Sequence, residues 1–116
     1  MSIRDEKKYL ANLWDWKILN GCFGKTKISP TDVDGFVERN GSFLLIETKL
    51  PGNEVTIGQK ITYNHLIKIP RFFVLIIWGK KDSPEELQFW GKNKMKADLN
   101  KLREMVQRWF KFADNN

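Results

Sequence analysis

The dipeptide Asn40-Gly41, between two extended apolar stretches, constrains the fold of this chain more than any other feature. Both residue types tolerate the positive φ angles of a type I′ turn, so the pattern predicts a β-hairpin over about residues 31–49. A two-residue loop pairs Arg39 with Ser42 and thereby fixes which residues face each other along both strands.

Two acidic side chains face each other in this register, because Asp34 falls opposite Glu47. Directly opposed residues have Cβ atoms roughly 4.5–5.5 Å apart, and like charges at that distance destabilise the strand pair. A divalent cation between the carboxylates would remove this penalty. Lys49, two residues after Glu47, projects from the same face. The three residues together predict a metal-dependent hydrolytic site.

The same register places Asp32 opposite Lys49. Three interpretations of Asp32 stay open: a partner that holds the lysine, an additional metal ligand, or a simple cross-strand ion pair. A slip of the strands by two residues would exchange the roles of Asp32 and Asp34, because side chains repeat every second residue.

The size and the cysteine content of the chain limit its class. With 116 residues it is expected to form one domain with its own core. The start has no apolar signal region, and the longest apolar run, Phe72 to Trp78, is too short to span a bilayer. A lone Cys22 cannot form an internal disulfide, as is usual in a reducing compartment. We therefore expect a cytoplasmic protein, in the host cell if a phage encodes it.

The net charge of +6 is unevenly placed. Residues 1–59 hold eight Lys/Arg and eight Asp/Glu, whereas residues 60–116 hold twelve and six. Such an excess of positive charge is typical of nucleic-acid-binding proteins and also of ordinary solvated surfaces. The candidate phosphate contacts are Lys25, Lys27, Lys60, Lys68, Arg71, Lys80, Lys81, Lys92, Lys94 and Lys96.

Periodicity predicts the remaining elements. They are a helix from about Ile3 to Leu19, a helix from Ile57 to Lys68 with Thr56 as its N-cap, a strand from Arg71 to Trp78, a short strand near Leu87–Trp90, and a helix from about Lys94 to Phe112. The order hairpin–helix–strand predicts that the strand ending in Lys49 runs parallel to the strand at Arg71–Trp78. The expected fold class is α/β, a small mixed sheet with helices on both faces.

The segments Asp34-Gly35-Phe36 and Glu47-Thr48-Lys49, separated by a turn and an apolar strand, resemble the active-site motif of the PD-(D/E)XK nuclease superfamily. The resemblance covers roughly residues 1–79 and implies a restriction-endonuclease-like core. The sequence of residues 29–36 is also similar to that of a group of small phage or prophage nucleases. The spacing of the motif resembles that of Holliday-junction resolvases.

By this resemblance, Asp34 and Glu47 would bind Mg²⁺ or Mn²⁺ together with the backbone carbonyl of Thr48. Hard oxygen ligands suit such ions. Lys49 would orient or help to deprotonate the attacking water and offset charge at the phosphate. The alternative is a surface hairpin with an exposed Glu-Lys pair.

Further site residues follow from the same resemblance. Gln59 and Tyr63 match a Gln-x-x-x-Tyr pair of exonuclease-like members, in which the glutamine lies near the active site and the tyrosine contacts DNA. Gln59 also completes a capping box with Thr56, which is the competing interpretation. Members often add an acidic residue from the first helix, for which Glu6 and Asp15 are both candidates.

The resemblance implies a Mg²⁺-dependent deoxyribonuclease that hydrolyses phosphodiester bonds in branched or otherwise structured DNA, acting as a homodimer. Three alternatives stay open: a single-strand or end-directed nuclease, a non-catalytic DNA-binding adaptor with the same fold, and an enzyme that cleaves RNA. Because one fold supports many activities, only the site itself can decide between them.

Overall fold

The computed structural model describes residues 3–115, without the side chains of Ile3 and Arg4. The chain forms two compact units, Met1–Asp32 and Val33–Asn116. Among the described residues, no helix combines the length and the apolar character that a bilayer crossing requires.

The first unit contains one α-helix and one turn of 3-10 helix. Helix α1 spans Ile3–Ala11 and the 3-10 helix spans Lys17–Leu19. The predicted continuous helix from Ile3 to Leu19 is therefore wrong. Two features interrupt it: Trp16 has a left-handed backbone with φ of 68°, and the Asp15 carboxylate accepts a hydrogen bond from the Lys17 backbone N–H. An aspartate that binds nearby backbone competes with helix formation in this way.

The second unit is a mixed five-stranded sheet in the order β1-β2-β3-β4-β5, with two helices. Its elements are β1 (Gly35–Arg39), β2 (Ser42–Lys49), α2 (Ile57–Leu66), β3 (Phe72–Lys80), β4 (Ser83–Phe89), β5 (Met95–Lys96) and α3 (Leu99–Asp114). The expected α/β class is confirmed at this level.

The hairpin forms in the predicted register, with Arg39 paired to Ser42. Asn40 and Gly41 have φ angles of 49° and 80°, as a tight turn with left-handed residues requires. The first strand begins only at Gly35, later than predicted. Asp32 therefore lies outside the strand, and the predicted cross-strand pairing of Asp32 with Lys49 is wrong.

Two apolar clusters cover the two faces of the sheet. On one face, Trp109 and Ala113 of α3 pack with buried leucines of the sheet, Leu44, Leu75 and Leu87. On the other, Tyr63 of α2 packs with Val74, Ile76 and Trp78 of β3. Strands β2 and β3 are parallel, as predicted, and the helix α2 connects them. Both clusters consist of residues from the second unit.

The C-terminal part differs from its predicted boundaries. Strand β4 is longer than expected, and Met95 lies in the short strand β5 instead of the last helix. Helix α3 begins after Asp98, whose side chain accepts a hydrogen bond from the Lys101 backbone N–H. This cap fixes the start of the helix four residues after Met95.

Candidate functional site

Glu47 and Lys49 lie on the face of the sheet that carries α2. In the parallel pair, Glu47 is level with Ile76 and Lys49 with Trp78, and both β3 residues belong to the cluster under α2. Side chains of residues that are level in neighbouring strands project from the same face. Both polar side chains of β2 therefore lie at the edge of the α2-side core, and both are half-buried.

Asp34 immediately precedes β1, whose last pair with β2 is Gly35 with Ile46, so it lies beside the part of β2 that carries Glu47. Its Oδ2 accepts hydrogen bonds from the Thr48 backbone N–H at 2.8 Å and from the Thr48 hydroxyl at 3.0 Å. The carboxylate thus accepts the hydrogen bond that a backbone carbonyl of β1 would accept if this strand were longer. This side-chain bond explains why β1 begins after Asp34, and it fixes the carboxylate beside β2.

The electrostatics of Glu47 link the three predicted residues. The pKa of Glu47 is raised first by burial and then by repulsion from the Asp34 carboxylate, while the Lys49 ammonium opposes the rise. Asp34 and Lys49 are therefore close enough to Glu47 for their charges to act on it in opposite directions.

Tyr63 belongs to the same group of side chains. It is buried, with 5 % of its surface exposed. Burial, followed by the negative charges of Glu47 and Asp34, raises the pKa of Tyr63 to about 12. The phenol therefore keeps its proton at neutral pH and is a hydrogen-bond donor there. Trp90 packs edge-on against its ring, with centroids 5.7 Å apart, and supports this position.

Gln59 has a structural role in the first turn of α2. Its Oε1 accepts a hydrogen bond from the Thr56 backbone N–H at 3.0 Å, and the Thr56 hydroxyl accepts one from the Gln59 backbone N–H at 3.2 Å. The capping box predicted from the sequence is confirmed. The Gln59 side-chain oxygen is therefore engaged, and its amide Nε2 is the group left for contact with a substrate.

Asp34 and Glu47 offer carboxylate oxygens, the type of ligand that a hard divalent cation prefers. Within residues 3–115, no group of three or more His, Cys, Asp or Glu side chains is arranged to hold a metal ion. Mg²⁺ normally binds through one or two carboxylates and keeps several waters, so two carboxylates and the Thr48 carbonyl would suffice. A closed site for a softer transition metal would need nitrogen or sulfur ligands.

Five of the other candidates lie in the first unit. Asp32 accepts a hydrogen bond from the Trp16 indole at 3.3 Å. Asp15 accepts one from the Lys17 backbone at 3.0 Å, and its second oxygen is 3.8 Å from the Lys17 ammonium. The other candidates of the first unit, Glu6, Lys25 and Lys27, are exposed. Lys60, on α2, is also exposed.

Thr48 is the residue whose role the sequence did not reveal. It was expected to contribute only its carbonyl, whereas its N–H and hydroxyl both bind Asp34. This role depends on where β1 begins, which the sequence does not show. Because β1 begins after Asp34, the Thr48 N–H at the end of β2 has no backbone acceptor in β1 and can bind a side-chain acceptor.

Comparisons of the chain with protein-family models, with curated proteins and with solved structures found no match.

Proposed function

We propose that this protein is a Mg²⁺- or Mn²⁺-dependent deoxyribonuclease of the PD-(D/E)XK type. The observation that carries the proposal is the placement of Asp34, which Thr48 holds beside β2, next to Glu47 and Lys49, which project from one side of β2. The charge of Asp34 raises the pKa of Glu47 and the charge of Lys49 lowers it. Opposed carboxylates weaken a strand pair. Their presence beside a lysine at the edge of the core is explained by a cation that binds between them.

Each residue has a task in this proposal. The Thr48 N–H and hydroxyl orient the Asp34 carboxylate, and Asp34 and deprotonated Glu47 hold the ion. The bound ion would supply Lewis-acid activation of the phosphate and a lower pKa for the attacking water. The Lys49 ammonium orients that water and offsets negative charge that develops at the phosphate. Protonated Tyr63 is a hydrogen-bond donor available to the substrate beside the two acids.

The proposed substrate is branched or otherwise structured DNA, cut by a homodimer as in Holliday-junction resolvases. A single small sheet with one site offers little surface for reading a base sequence. A single-strand or end-directed nuclease is the alternative substrate assignment, favoured by the position of Tyr63 next to the acids.

A cleavage panel tests the proposal. Purified protein is incubated with a four-way junction, a flap, linear duplex and single-stranded DNA, each with Mg²⁺ and with EDTA, and products are separated on denaturing gels. We expect cleavage only with the metal, and Lys49→Ala should reduce the rate by about 100-fold or more while DNA binding remains. Lys111→Ala, an exposed lysine near the end of α3, is the control and should cleave normally.

One observation favours a second function, a non-catalytic DNA-binding adaptor. The Asp34 oxygen already accepts two hydrogen bonds that complete the end of the hairpin, which is a sufficient structural role for this residue. The adaptor binds DNA in EDTA and cuts none of the substrates with any metal. RNA versions of the same strands show whether a metal-dependent activity is directed at RNA instead.

A further inference from the structure

A cleft of about 770 Å³ opens at the carboxyl ends of β2 and β3, beside the start of α3. Its floor is apolar and comes from the strands β3 and β4, the helix α3 and the residue that follows β2: Leu50, Ile77, Pro84, Leu99 and Leu102. The volume lies in the range of about 300–1,000 Å³ that is usual for pockets of small ligands. Ligands of α/β proteins commonly bind beyond the carboxyl ends of parallel strands.

The cleft adjoins the candidate site through two consecutive residues, Thr48 and Lys49, which both line it. Thr48 is level with Ile77 and so belongs to the α3 side of the sheet, whereas Lys49 belongs to the α2 side. The Thr48 hydroxyl at the same time binds Asp34. The cleft and the candidate site therefore meet at the end of β2, where Thr48 and Lys49 belong to both.

The rim of the cleft is positively charged. Lys49, Lys80 and Lys81 line it, and Asp82 is the acidic residue among the lining side chains. An apolar floor under a cationic rim is complementary to an anion with a flat apolar body. A nucleotide has this chemistry, because its base is buried favourably against apolar side chains and its phosphate is attracted to lysines.

One wall of the cleft is held rigidly by a bulge at Gly79, where the register of β3 and β4 shifts. A Cβ atom at Gly79 would lie 2.3 Å from the Ser83 carbonyl oxygen and 2.8 Å from the Pro84 Cα, so the backbone of β4 rests directly on this glycine. Glycine at a bulge with such close backbone approach fixes the position of the hairpin that carries Lys80 and Lys81.

We propose that this cleft binds one unpaired nucleotide of the DNA strand next to the phosphate that is cut, with the base on the apolar floor and a phosphate on Lys80 and Lys81. The inference rests on the proposed function, which places the cut phosphate at Asp34 and Glu47. A base in an intact duplex is stacked and paired and cannot enter the cleft. The substrate must therefore be unpaired at this position, as at a flap, an end or a junction.

The test measures binding separately from cleavage. Fluorescence anisotropy in EDTA follows binding of the full chain to a labelled single strand, to the blunt duplex, and to the single strand with abasic residues in place of its nucleosides. Leu99→Trp fills the cleft from an exposed position, and K80E/K81E reverses two of the three positive charges of the rim. Gln107→Trp and Lys111→Glu are matched controls on α3, outside the cleft.

We expect wild-type protein to bind the single strand at least about 10-fold more tightly than the blunt duplex. Leu99→Trp should lose this preference, and K80E/K81E should reduce the slope of log K against log salt by about 0.7 for each lost phosphate contact. The abasic strand should bind more weakly than the normal strand, because it keeps the charges and lacks the bases.

Two results would overturn the inference: cleft variants that bind the single strand like the two controls, or an abasic strand that binds as tightly as the normal one. Circular dichroism establishes that each variant is folded, and the two cleft variants change different features of the site. If binding depends on the cleft but the protein does not cleave DNA in the presence of Mg²⁺, the proposed function is overturned and the proposed binding site is still supported.

Discussion

The surroundings of Glu47 disfavour its negative charge, whereas the proposed chemistry requires that charge. Its side chain is half-buried, the Asp34 carboxylate repels its negative charge, and the Lys49 ammonium offsets part of this repulsion. A carboxylate in such surroundings weakens the metal-free fold, because both burial and like charge disfavour its ionised form. The same surroundings suit a carboxylate whose partner is a cation.

The pKa of Glu47 should respond to its two neighbours in opposite directions. Asp34→Asn removes the repulsion and should lower the pKa, whereas Lys49→Ala removes the attraction and should raise it further. Titration of the Glu47 side-chain carbon by NMR in metal-free buffer measures both shifts. A Glu47 pKa that is the same in all three proteins would show that the residues are too far apart to form one site.

Glu47→Gln should stabilise the metal-free protein and abolish cleavage. Loss of a directly opposed like charge is worth roughly 0.2–1 kcal/mol of unfolding free energy. The raised pKa gives the sign of the pH dependence: the cost is present at neutral pH and disappears as the pH falls and Glu47 takes up its proton. Urea unfolding with EDTA at pH 7 and at pH 4 should therefore show a gain for the variant that shrinks in acid.

The site was predictable as far as the register determines it. The two-residue loop at Asn40-Gly41 fixed the strand pairing from Arg39 with Ser42 to Gly35 with Ile46, because pairing is determined once the turn is known. Asp34 is the residue that precedes the last of these pairs. The Thr48 contact was not predictable, since it depends on where β1 begins. Nor does any local pattern show that Tyr63 is held against Trp90, whose indole donates to Asn64 at 2.7 Å.

The elements of the sheet differ in how strongly the sequence specifies them. The apolar run of β3 predicts a strand covered on both faces, and the clusters on its two sides confirm this. Strand β5 has two residues, Met95–Lys96, and so shows no period from which a strand can be predicted. Met95 continues the helical spacing of Leu99 and Leu102, and only the Asp98 cap separates it from α3.

Two glycines should respond oppositely to the same substitution. Gly79→Ala places a Cβ against the backbone of Ser83 and should cost about 1–3 kcal/mol, because the bulge between β3 and β4 must shift. Gly58→Ala, in the first turn of α2 with open space around it, should stabilise by about 0.4–1 kcal/mol. Thermal and urea unfolding measure both. Equal effects would contradict the close approach at Gly79.

Gln59 allows its capping and substrate roles to be separated. Gln59→Glu keeps an oxygen for the Thr56 N–H, so stability should hardly change. Thr56→Ala removes the cap and should cost about 0.5–2 kcal/mol. If the Gln59 amide contacts DNA, Gln59→Glu should cleave more slowly despite normal unfolding. Cleavage at the wild-type rate would limit Gln59 to the capping box.

The whole molecule divides into a unit that holds the sheet with both clusters and a unit that contributes to neither. Val33–Asn116 contains fourteen Lys/Arg and ten Asp/Glu, so its net charge is +4 of the total of +6. This unit also contains Asp34, Glu47 and Lys49 together with every residue that lines the cleft beside them. The chemistry proposed for the chain therefore resides in residues 33–116.

A protein shortened to residues 33–116 should fold by itself. Its two clusters are complete without the first thirty-two residues, so we expect one cooperative urea transition and retained binding to single-stranded DNA. Circular dichroism and anisotropy provide the two measurements. A shortened chain without a cooperative transition would show that the sheet needs the first unit, and the single-domain expectation would then stand.

Hydrogen bonds join the turn of the hairpin to the last residues of helix α3. The Arg39 Nε donates to the Asp114 carboxylate at 2.8 Å, the Asn40 amide donates to the Ala113 carbonyl at 3.3 Å, and Arg71 donates to the Asn40 carbonyl at 3.1 Å. At the opposite end of the hairpin, Thr48 binds the Asp34 carboxylate and the residues around Glu47 pair with β3. The hairpin is therefore anchored at both ends, and the sheet sets the spacing between its two acids.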